Sequence, residues 1–258
     1  MTDSNSTIKV NELSIGYQSK KESVVITRDI RFSIEEGELT AIVGSNGIGK
    51  STLLRTLAKI QPALSGTIEI HEKALSDYND LDLAKSISLV LTDPMASKNM
   101  TVSEIIALGR QPYTNWIGTL TNNDIAKVKE VIQMVGLEEL AQKKCFELSD
   151  GQLQRVMIAR ALAQDTQIIM LDEPTTHLDL HHKVQILKLL RKIAKETHKT
   201  ILYTSHEIEL SIQLCDTMLL MSTGGYSFGT PDKLIELRAF DNLFPHDTIT
   251  FNSDTRTF

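Results

Sequence analysis

Several features that mark special classes of protein are scarce or missing in this sequence of 258 residues. Its two cysteines, Cys145 and Cys215, lie far apart among apolar residues, which argues against a disulfide framework or a cysteine metal site. No run approaches the ~18 apolar residues of a membrane span, and residues 1–9 do not resemble a signal peptide. We therefore expect reduced thiols in a cytosolic protein that would reach a membrane only by docking on another subunit.

The sequence also lacks an excess of basic residues, because its formal net charge is -6. A protein whose main partner is a phosphate backbone usually carries a basic surface, so we expect no nucleic-acid partner. The hydrophobic share of 41% and the charged share of 23% are ordinary for a globular protein and argue against disorder or collagen-like repeats. Composition allows one domain with a subdomain or two domains, and it names no function.

Hydrophobic patterning predicts an α/β fold. Residues 8–17 alternate like a strand, residues 39–43 form a buried strand that stops at a glycine-rich turn, and a helix is expected over residues 50–60. Further buried strands are predicted at residues 87–91, 168–171, 200–204 and 217–221. The strand, turn and helix at residues 39–60 are the local context that a phosphate-binding loop requires.

Two other stretches have a helical pattern. Between residues 101 and 163 the apolar residues recur at helical spacing, as at Val128, Val131 and Ile132, and no strand is predicted. We interpret this stretch as a helical subdomain inserted into the α/β core. Near the C-terminus, Thr230 has the character of an N-cap and Pro231 that of a first helical residue, so a short helix is predicted to begin there.

The glycine-rich turn predicts a nucleotide site. Its three glycines let backbone N–H groups point inward at a helix N-terminus, an arrangement that binds phosphate. Lys50 is expected to reach the β- and γ-phosphates, and the Ser51 hydroxyl to bind Mg²⁺. The candidate ATP-binding residues of this loop are Gly44, Ser45, Asn46, Gly47, Ile48, Gly49, Lys50, Ser51 and Thr52.

Three polar residues follow two of the other buried strands. Asp172 and Glu173 end one strand, so Asp172 is predicted beside the Mg²⁺ and Glu173 beside the γ-phosphate as general base. His206 follows the next strand and is predicted to hold the γ-phosphate or the attacking water. The alternatives are two solvated acids at a strand end and a structural histidine. His177, His181 and His182 lack a ligand set at usual spacing, and we reject a metal site there.

A second helix N-terminus carries the sequence Leu148-Ser-Asp-Gly-Gln152. Ser149 is a good N-cap and Gly151 permits close approach of a backbone or phosphate. From the motif alone, a plain helix cap is an equal alternative to a phosphate site. The chain therefore offers two candidate phosphate-binding helix ends.

Together these motifs resemble the ABC ATPase family over about residues 8–234. The family's Walker A matches residues 44–52, its signature residues 148–152, its Walker B residues 168–173 and its switch histidine His206. The resemblance implies a P-loop NTPase with a RecA-like core and mixed sheet, an antiparallel β subdomain and the inserted helical subdomain. It implies a single domain over residues 1–258, with core at 1–92 and 164–230, helical signature subdomain at 93–163 and C-terminal extension at 231–258.

The resemblance also implies how the protein works. Tyr17 looks like the aromatic residue that stacks on adenine, the alternative being an exposed tyrosine at a strand end. Asp179 looks like the D-loop residue that crosses between subunits. Two chains would pair head to tail, so that Ser149, Gly151 and Gln152 of one close over ATP and Mg²⁺ on the other. The implied partners are integral membrane permease subunits and, indirectly, a substrate-binding protein, with the ATPase peripheral on the cytoplasmic face of the cell membrane.

A narrower resemblance concerns residues 101–113, which look like the helical region of ATPases from iron-chelate, haem and cobalamin importers. Two departures from the family accompany it. Thr92 stands where a glutamine normally contacts magnesium and the attacking water, and Asp150 replaces the first signature glycine. We expect hydrolysis to survive, with Thr92 or the adjacent Asp93 acting directly or through water. The alternative functions are a non-transport ABC ATPase on nucleic acid or ribosomes and a regulatory ATP switch.

Overall fold

The computed structural model describes residues 6–18, 23–92, 98–243 and 250–258, and the Asp93 named above lies outside them. Ten strands occur in the described part. They are β1 (Ser6–Gln18), β2 (Ser23–Glu35), β3 (Leu39–Gly44), β4 (Ser65–Ile70), β5 (Lys73–Ala74), β6 (Ile87–Val90), β7 (Ile168–Leu171), β8 (Thr200–Ser205), β9 (Thr217–Ser222) and β10 (Gly225–Gly229).

Eight α-helices occur in the same ranges, together with short 3-10 turns. They are α1 (Lys50–Leu57), α2 (Asp80–Ser86), α3 (Val102–Ala107), α4 (Asn122–Met134), α5 (Asp150–Ala163), α6 (Leu180–Thr197), α7 (Ile208–Leu214) and α8 (Pro231–Glu236). No helix among the described residues combines the length and the apolar character needed to cross a membrane.

The larger sheet has the strand order β10-β9-β3-β8-β7-β6. Five of its strands are parallel and β10 pairs antiparallel with β9, so the predicted mixed sheet is confirmed. The carboxyl ends of parallel strands meet at one edge of a sheet, which is where ligands bind in open α/β folds. Gly44, His206, Asp172 and Thr92 end or follow the neighbouring strands β3, β8, β7 and β6, so they lie along that edge.

The smaller sheet is antiparallel, with the order β2-β1-β4-β5. Patterning predicted only β1 of these strands, because the alternation of the others is broken. The register between β1 and β2 shifts around Val10 to Leu13, and Glu12 and Asp29 there adopt positive φ angles of 50° and 57°. Irregularities of this kind insert residues that do not follow the two-residue period.

The larger sheet is buried on both faces, as its apolar strands require. Along β3, Leu39, Ala41 and Val43 face a core shared with α3 to α8, whereas Ile42 faces a core shared with α1 and the smaller sheet. The predicted apolar positions Val128, Val131 and Ile132 of α4 are buried in the first of these cores. The helices between β6 and β7 therefore extend the core of the sheet instead of forming one of their own.

Arg110 holds these helices together. Its guanidinium donates to Asp124 of α4 (Nε to Oδ1, 2.8 Å) and to the carbonyl of Ala163 at the end of α5 (2.8 Å). The same group lies 4.0 Å from the ring centroid of Tyr113. Thus the segment that resembled one group of importers contains the residue that joins three helical elements.

The remaining expectations concern element ends and the C-terminal region. The helix α1 ends at Leu57, earlier than the expected residue 60, because Lys59 adopts a positive φ of 58°. Thr230 caps α8 through a bond from the amide of Lys233, as predicted.

The two cysteines, Cys145 and Cys215, are free and buried, and burial raises the pKa of Cys215 to about 12. In the C-terminal region, Phe251 stacks on Phe240 with ring centroids 4.6 Å apart.

Candidate functional site

The loop between β3 and α1 has a backbone that only glycine accommodates. Gly49, the residue before α1, has φ = 108°, and a Cβ there would lie 2.5 Å from Ile26 Cγ2. This conformation turns the chain so that α1 begins at Lys50. The first backbone N–H groups of a helix have no partner within it, so they are available to an anion.

Lys50 is buried with its ammonium at the centre of the site. The Nζ atom donates to the carbonyls of Gly44 and Ser45, both at 3.0 Å, and lies 3.1 Å from Nδ1 of His206. Burial lowers the pKa of Lys50, and the nearby Glu173 and Asp172 oppose that shift. The ammonium is therefore held by neutral acceptors, and a phosphate oxygen would be a stronger one.

Asp172 follows β7 and is buried beside α1. Its Oδ1 accepts hydrogen bonds from Ser51 Oγ and Thr204 Oγ1, both at 2.7 Å. A carboxylate and a hydroxyl are oxygen ligands of the kind that Mg²⁺ prefers in phosphate sites. Ser51 and Asp172 therefore fit Mg²⁺ by the chemistry of their donor atoms.

Glu173 is held in one orientation by three neighbours. Its Oε1 lies 2.5 Å from His206 Nε2, its Oε2 accepts from Thr176 Oγ1 at 3.1 Å, and its amide donates to Thr204 Oγ1 at 2.8 Å. Its φ of 48° is a strained backbone of the kind that clusters at functional sites. The side chain is thus fixed at the carboxyl edge of the sheet, as a general base requires.

The contacts of His206 indicate where its proton lies. An ammonium can only donate, so Nδ1 facing Lys50 is an acceptor and Nε2 carries the proton that faces Glu173. Lys50, His206 and Glu173 then form one hydrogen-bonded chain from the phosphate loop to the candidate base.

A cavity of about 420 Å³ opens over these residues. Tyr17 lines this cavity and is 56% exposed, and its hydroxyl is 3.1 Å from Thr52 Oγ1. This places an aromatic face where an adenine could stack. The lining residues are Tyr17, Ile26, Asn46, Gly47, Gly49, Lys50, Ser51, Thr52, Glu173 and His206.

Sequence reasoning missed two residues here. Ile26 lines the cavity from β2, a strand that patterning did not predict. Thr204 bridges Asp172 and Glu173 through one buried hydroxyl. The sequence did offer one indication of Thr204, because a threonine is unusual inside an apolar strand and this one lies two residues before the candidate histidine.

Thr92 lies at the edge of a second cavity, of about 450 Å³, which Asp172 and Glu173 also line. Its side chain is exposed, and Asp150 of α5 borders the same cavity. The sheet therefore brings Thr92 to the side of the candidate base that faces α5. Its contact with magnesium remains a prediction.

The second candidate phosphate site is separate from the first. Ser149 Oγ accepts from the amide of Gln152 at 3.3 Å, and Gln152 Oε1 accepts from the amide of Ser149 at 3.0 Å, so the two cap α5 reciprocally. Asp179 caps α6 through the amide of His182 at 2.9 Å. None of the described residues Ser149, Gly151, Gln152 and Asp179 lines the cavity over the phosphate loop.

Comparison with known proteins gives matches to one family. Residues 27–176 match the family model described as ABC transporter. The chain is 36% identical, over 217 residues, to the iron(3+)-hydroxamate import ATP-binding protein FhuC of Bacillus subtilis (strain 168), with 84% of this chain and 79% of that protein covered.

Two solved structures are similar in fold. An inward-facing ABC transporter of the metal-chelate type has a TM-score of 0.80 at 28% identity, covering 93% of this chain and 89% of that one. A dimeric ATP-binding cassette in a post-hydrolysis state, bound to ADP and Pi, has a TM-score of 0.73 at 27% identity, covering 87% and 98%.

Proposed function

This chain belongs to the ABC transporter family and is an ATPase, and we propose that it powers the uptake of an iron chelate, haem or cobalamin through a separate permease. The observation that supports ATP hydrolysis is the series of hydrogen bonds from Lys50 through His206 to Glu173. The bonded pair of Ser51 and Asp172 lies beside it. Similarity to an iron-hydroxamate import protein and to a metal-chelate transporter supports the cargo class.

In the proposed reaction, a water molecule attacks the γ-phosphorus of ATP in line with the leaving ADP. The bond from the γ-phosphorus to the bridging oxygen breaks, and Glu173 accepts a proton from the water. His206 keeps the Glu173 carboxylate oriented through its Nε2–H, while Lys50 and the amides of α1 bind the phosphates. Ser51 and Asp172 would hold Mg²⁺, which neutralises charge on the β- and γ-phosphates when it is bound.

The working unit that we propose is a homodimer with two shared sites. Ser149, Gly151 and Gln152 lie outside the cavity of their own chain, so a second chain would bring them to the γ-phosphate. A helix N-terminus of this kind favours negative charge. A related cassette forms a dimer with ADP and Pi, which supports this assembly.

The proposed protein is a single domain that works with membrane partners. The core would comprise residues 1–92 and 164–230, the helical signature part residues 93–163 and the C-terminal extension residues 231–258. The dimer would lie on the cytoplasmic face of the cell membrane, bound to permease subunits and served indirectly by a substrate-binding protein. Motion of the helical part against the core would transmit the closure of the dimer to the permease.

The test begins with Glu173→Gln, which keeps the shape of the side chain and removes its basicity. We expect Mg²⁺-dependent phosphate release to fall about 10³-fold, because the water loses its proton acceptor. ATP binding should remain, and an ATP-dependent dimer should accumulate. The matched control is Glu196→Gln, since Glu196 is exposed on α6 and pairs only with Lys192 among the described residues. Unchanged turnover in Glu173→Gln would exclude this base.

The transport part has its own test. Cells that carry the wild-type chain with its permease should accumulate a ⁵⁵Fe-labelled hydroxamate chelate, haem or labelled cobalamin, and cells with Glu173→Gln should not. If none of the three cargoes depends on Glu173, the importer proposal fails. If the purified wild-type chain shows no Mg²⁺-dependent ATPase even with its permease, the expectation that Thr92 permits hydrolysis is wrong, and a regulatory switch is favoured.

A further inference from the structure

The N-termini of α5 and α6 touch at a glycine and a histidine. A Cβ built on Gly151 would lie 2.9 Å from Cδ2 of His182 and 3.4 Å from its Cγ. The first distance is below any normal contact between carbon atoms, so the imidazole occupies the space that a side chain at position 151 would need. Within this chain, the glycine therefore serves close packing by His182.

The imidazole is fixed on its other side by Asp179. Its Nδ1 lies 2.9 Å from both carboxylate oxygens of Asp179, and the amide of His182 donates to one of them at 2.9 Å. The backbone bond and then the ring bond lower the pKa of Asp179. Because these bonds are made to a carboxylate, they are stronger than neutral hydrogen bonds. The ring is thus clamped between Asp179 and Gly151.

A second contact joins the same helices one turn further on. Arg155 of α5 donates to Oε1 of Gln185 on α6 at 2.7 Å, and Nε2 of Gln185 lies 2.8 Å from Nε2 of His181. Two contacts that are separated along both helices restrict their relative rotation. The neighbouring His181 takes part in this second contact, and its ring lies edge-on to that of His182 with centroids 5.7 Å apart. Among the described bonds it has none to Gly151 or Asp179.

We propose that His182 is a positioning residue that makes Asp179 and the N-terminus of α5 move as one unit. This inference rests on the proposed function, in which Ser149 and Gly151 close over ATP on the partner subunit and Asp179 lies at the subunit boundary. A change at Asp179 when the dimer closes would be passed through the imidazole to the end of α5. Closure of the dimer would then also place the backbone amides at the end of α5 against the phosphate.

The test compares His182→Ala with the matched control His181→Ala. We expect His182→Ala to lower kcat about tenfold, since a displaced helix end weakens placement of the γ-phosphate. The affinity of the monomer for a fluorescent ATP analogue should stay within about twofold, because the cavity over the phosphate loop is untouched. His181→Ala should keep kcat within about twofold of wild type. Equal losses in the two variants would overturn the inference.

Two further variants separate positioning from a loss of folding. In His182→Asn, Nδ2 can replace Nδ1 as donor to Asp179, so we expect kcat to recover at least in part. Gly151→Ala should displace the ring, and the double variant Gly151→Ala/His182→Ala should lose less activity than the product of the single losses. No recovery with asparagine, or independent effects in the double variant, would contradict the proposal. Failure of Glu173→Gln to form an ATP-dependent dimer would instead contradict the shared site itself.

Discussion

The edge of the larger sheet and the N-terminus of α5 are both candidate phosphate sites, but they are built differently. At the sheet edge, Lys50, Asp172 and Glu173 each bond to a side chain that lies in β8 or directly after it. At α5, the side chains of Ser149 and Gln152 each bond only to the backbone amide of the other among the described contacts. The residues of the first region are positioned by contacts within one chain. The second region lacks such contacts, as expected for a site that a second chain completes.

The largest expected loss of ATPase activity comes from one variant in each of these two regions. Lys50→Ala removes the ammonium, and Ser149→Arg places a long side chain at the end of α5. We expect each to lower ATPase activity at least about 10²-fold, but only Lys50→Ala to weaken ATP binding by the monomer. Titration with a fluorescent ATP analogue distinguishes them. Weakened monomer binding in Ser149→Arg would mean that both regions serve one cavity of the same chain.

A smaller effect is expected from Thr204→Val, which keeps the shape of the side chain and removes one hydroxyl. Asp172 would lose a donor and the amide of Glu173 its acceptor, so we expect kcat to fall about tenfold and stability by about 2 kcal/mol. The matched control is Thr217→Val, because Thr217 Oγ1 is also buried and bonds to Thr40 Oγ1 at 2.8 Å. It should lose stability without the loss in kcat. An equal loss of kcat in the two variants would contradict the role given to Thr204.

The smallest effect on turnover is expected at Asp124, which lies away from both candidate phosphate sites and stabilises the helical region through its bond to Arg110. Bonds from Thr121, and then from Arg110, lower the pKa of Asp124 from 3.8 to about 2. Its carboxylate therefore stabilises the fold above about pH 4, and this contribution is lost as the pH falls towards 2. We expect Asp124→Asn to cost about 3 kcal/mol at pH 7, because Arg110 stays buried without its partner.

Urea unfolding at several pH values checks this prediction. The difference between wild type and Asp124→Asn should be constant above about pH 5 and shrink below about pH 4. The exposed pair of Arg256 and Asp232 supplies the control, since Asp232→Asn should cost less than about 1 kcal/mol. A difference that does not depend on pH would show that the charge of Asp124 is not what stabilises the helices.

Much of the sheet edge could be predicted from the sequence because its residues follow continuous apolar strands. Asp172 and His206 each end such a run, and parallel strands deliver their carboxyl ends to one edge. Ser149, Pro231 and Thr230 were predictable for a similar reason, since capping residues act within one turn of helix.

The rest depends on contacts between distant segments. Thr204 acts through a single hydroxyl whose partners, Asp172 and Glu173, directly follow another strand, and no local sequence pattern indicates such a bond. The strand β2 was missed because bulges break its alternation, and with it Ile26 of the nucleotide cavity. The packing of His182 on Gly151 joins two helix ends that are unrelated in sequence, so spacing alone could not indicate it.

In the proposed dimer, ATP is closed between the phosphate loop of one chain and the α5 end of another. The direct test of this pairing mixes Lys50→Ala chains with Ser149→Arg chains, both in the Glu173→Gln background, and counts the ATP that stays bound after gel filtration. Each variant alone should retain none, whereas the mixture should retain about one ATP per heterodimer, from the one intact pairing. Retention by Ser149→Arg alone, or none in the mixture, would contradict the shared site.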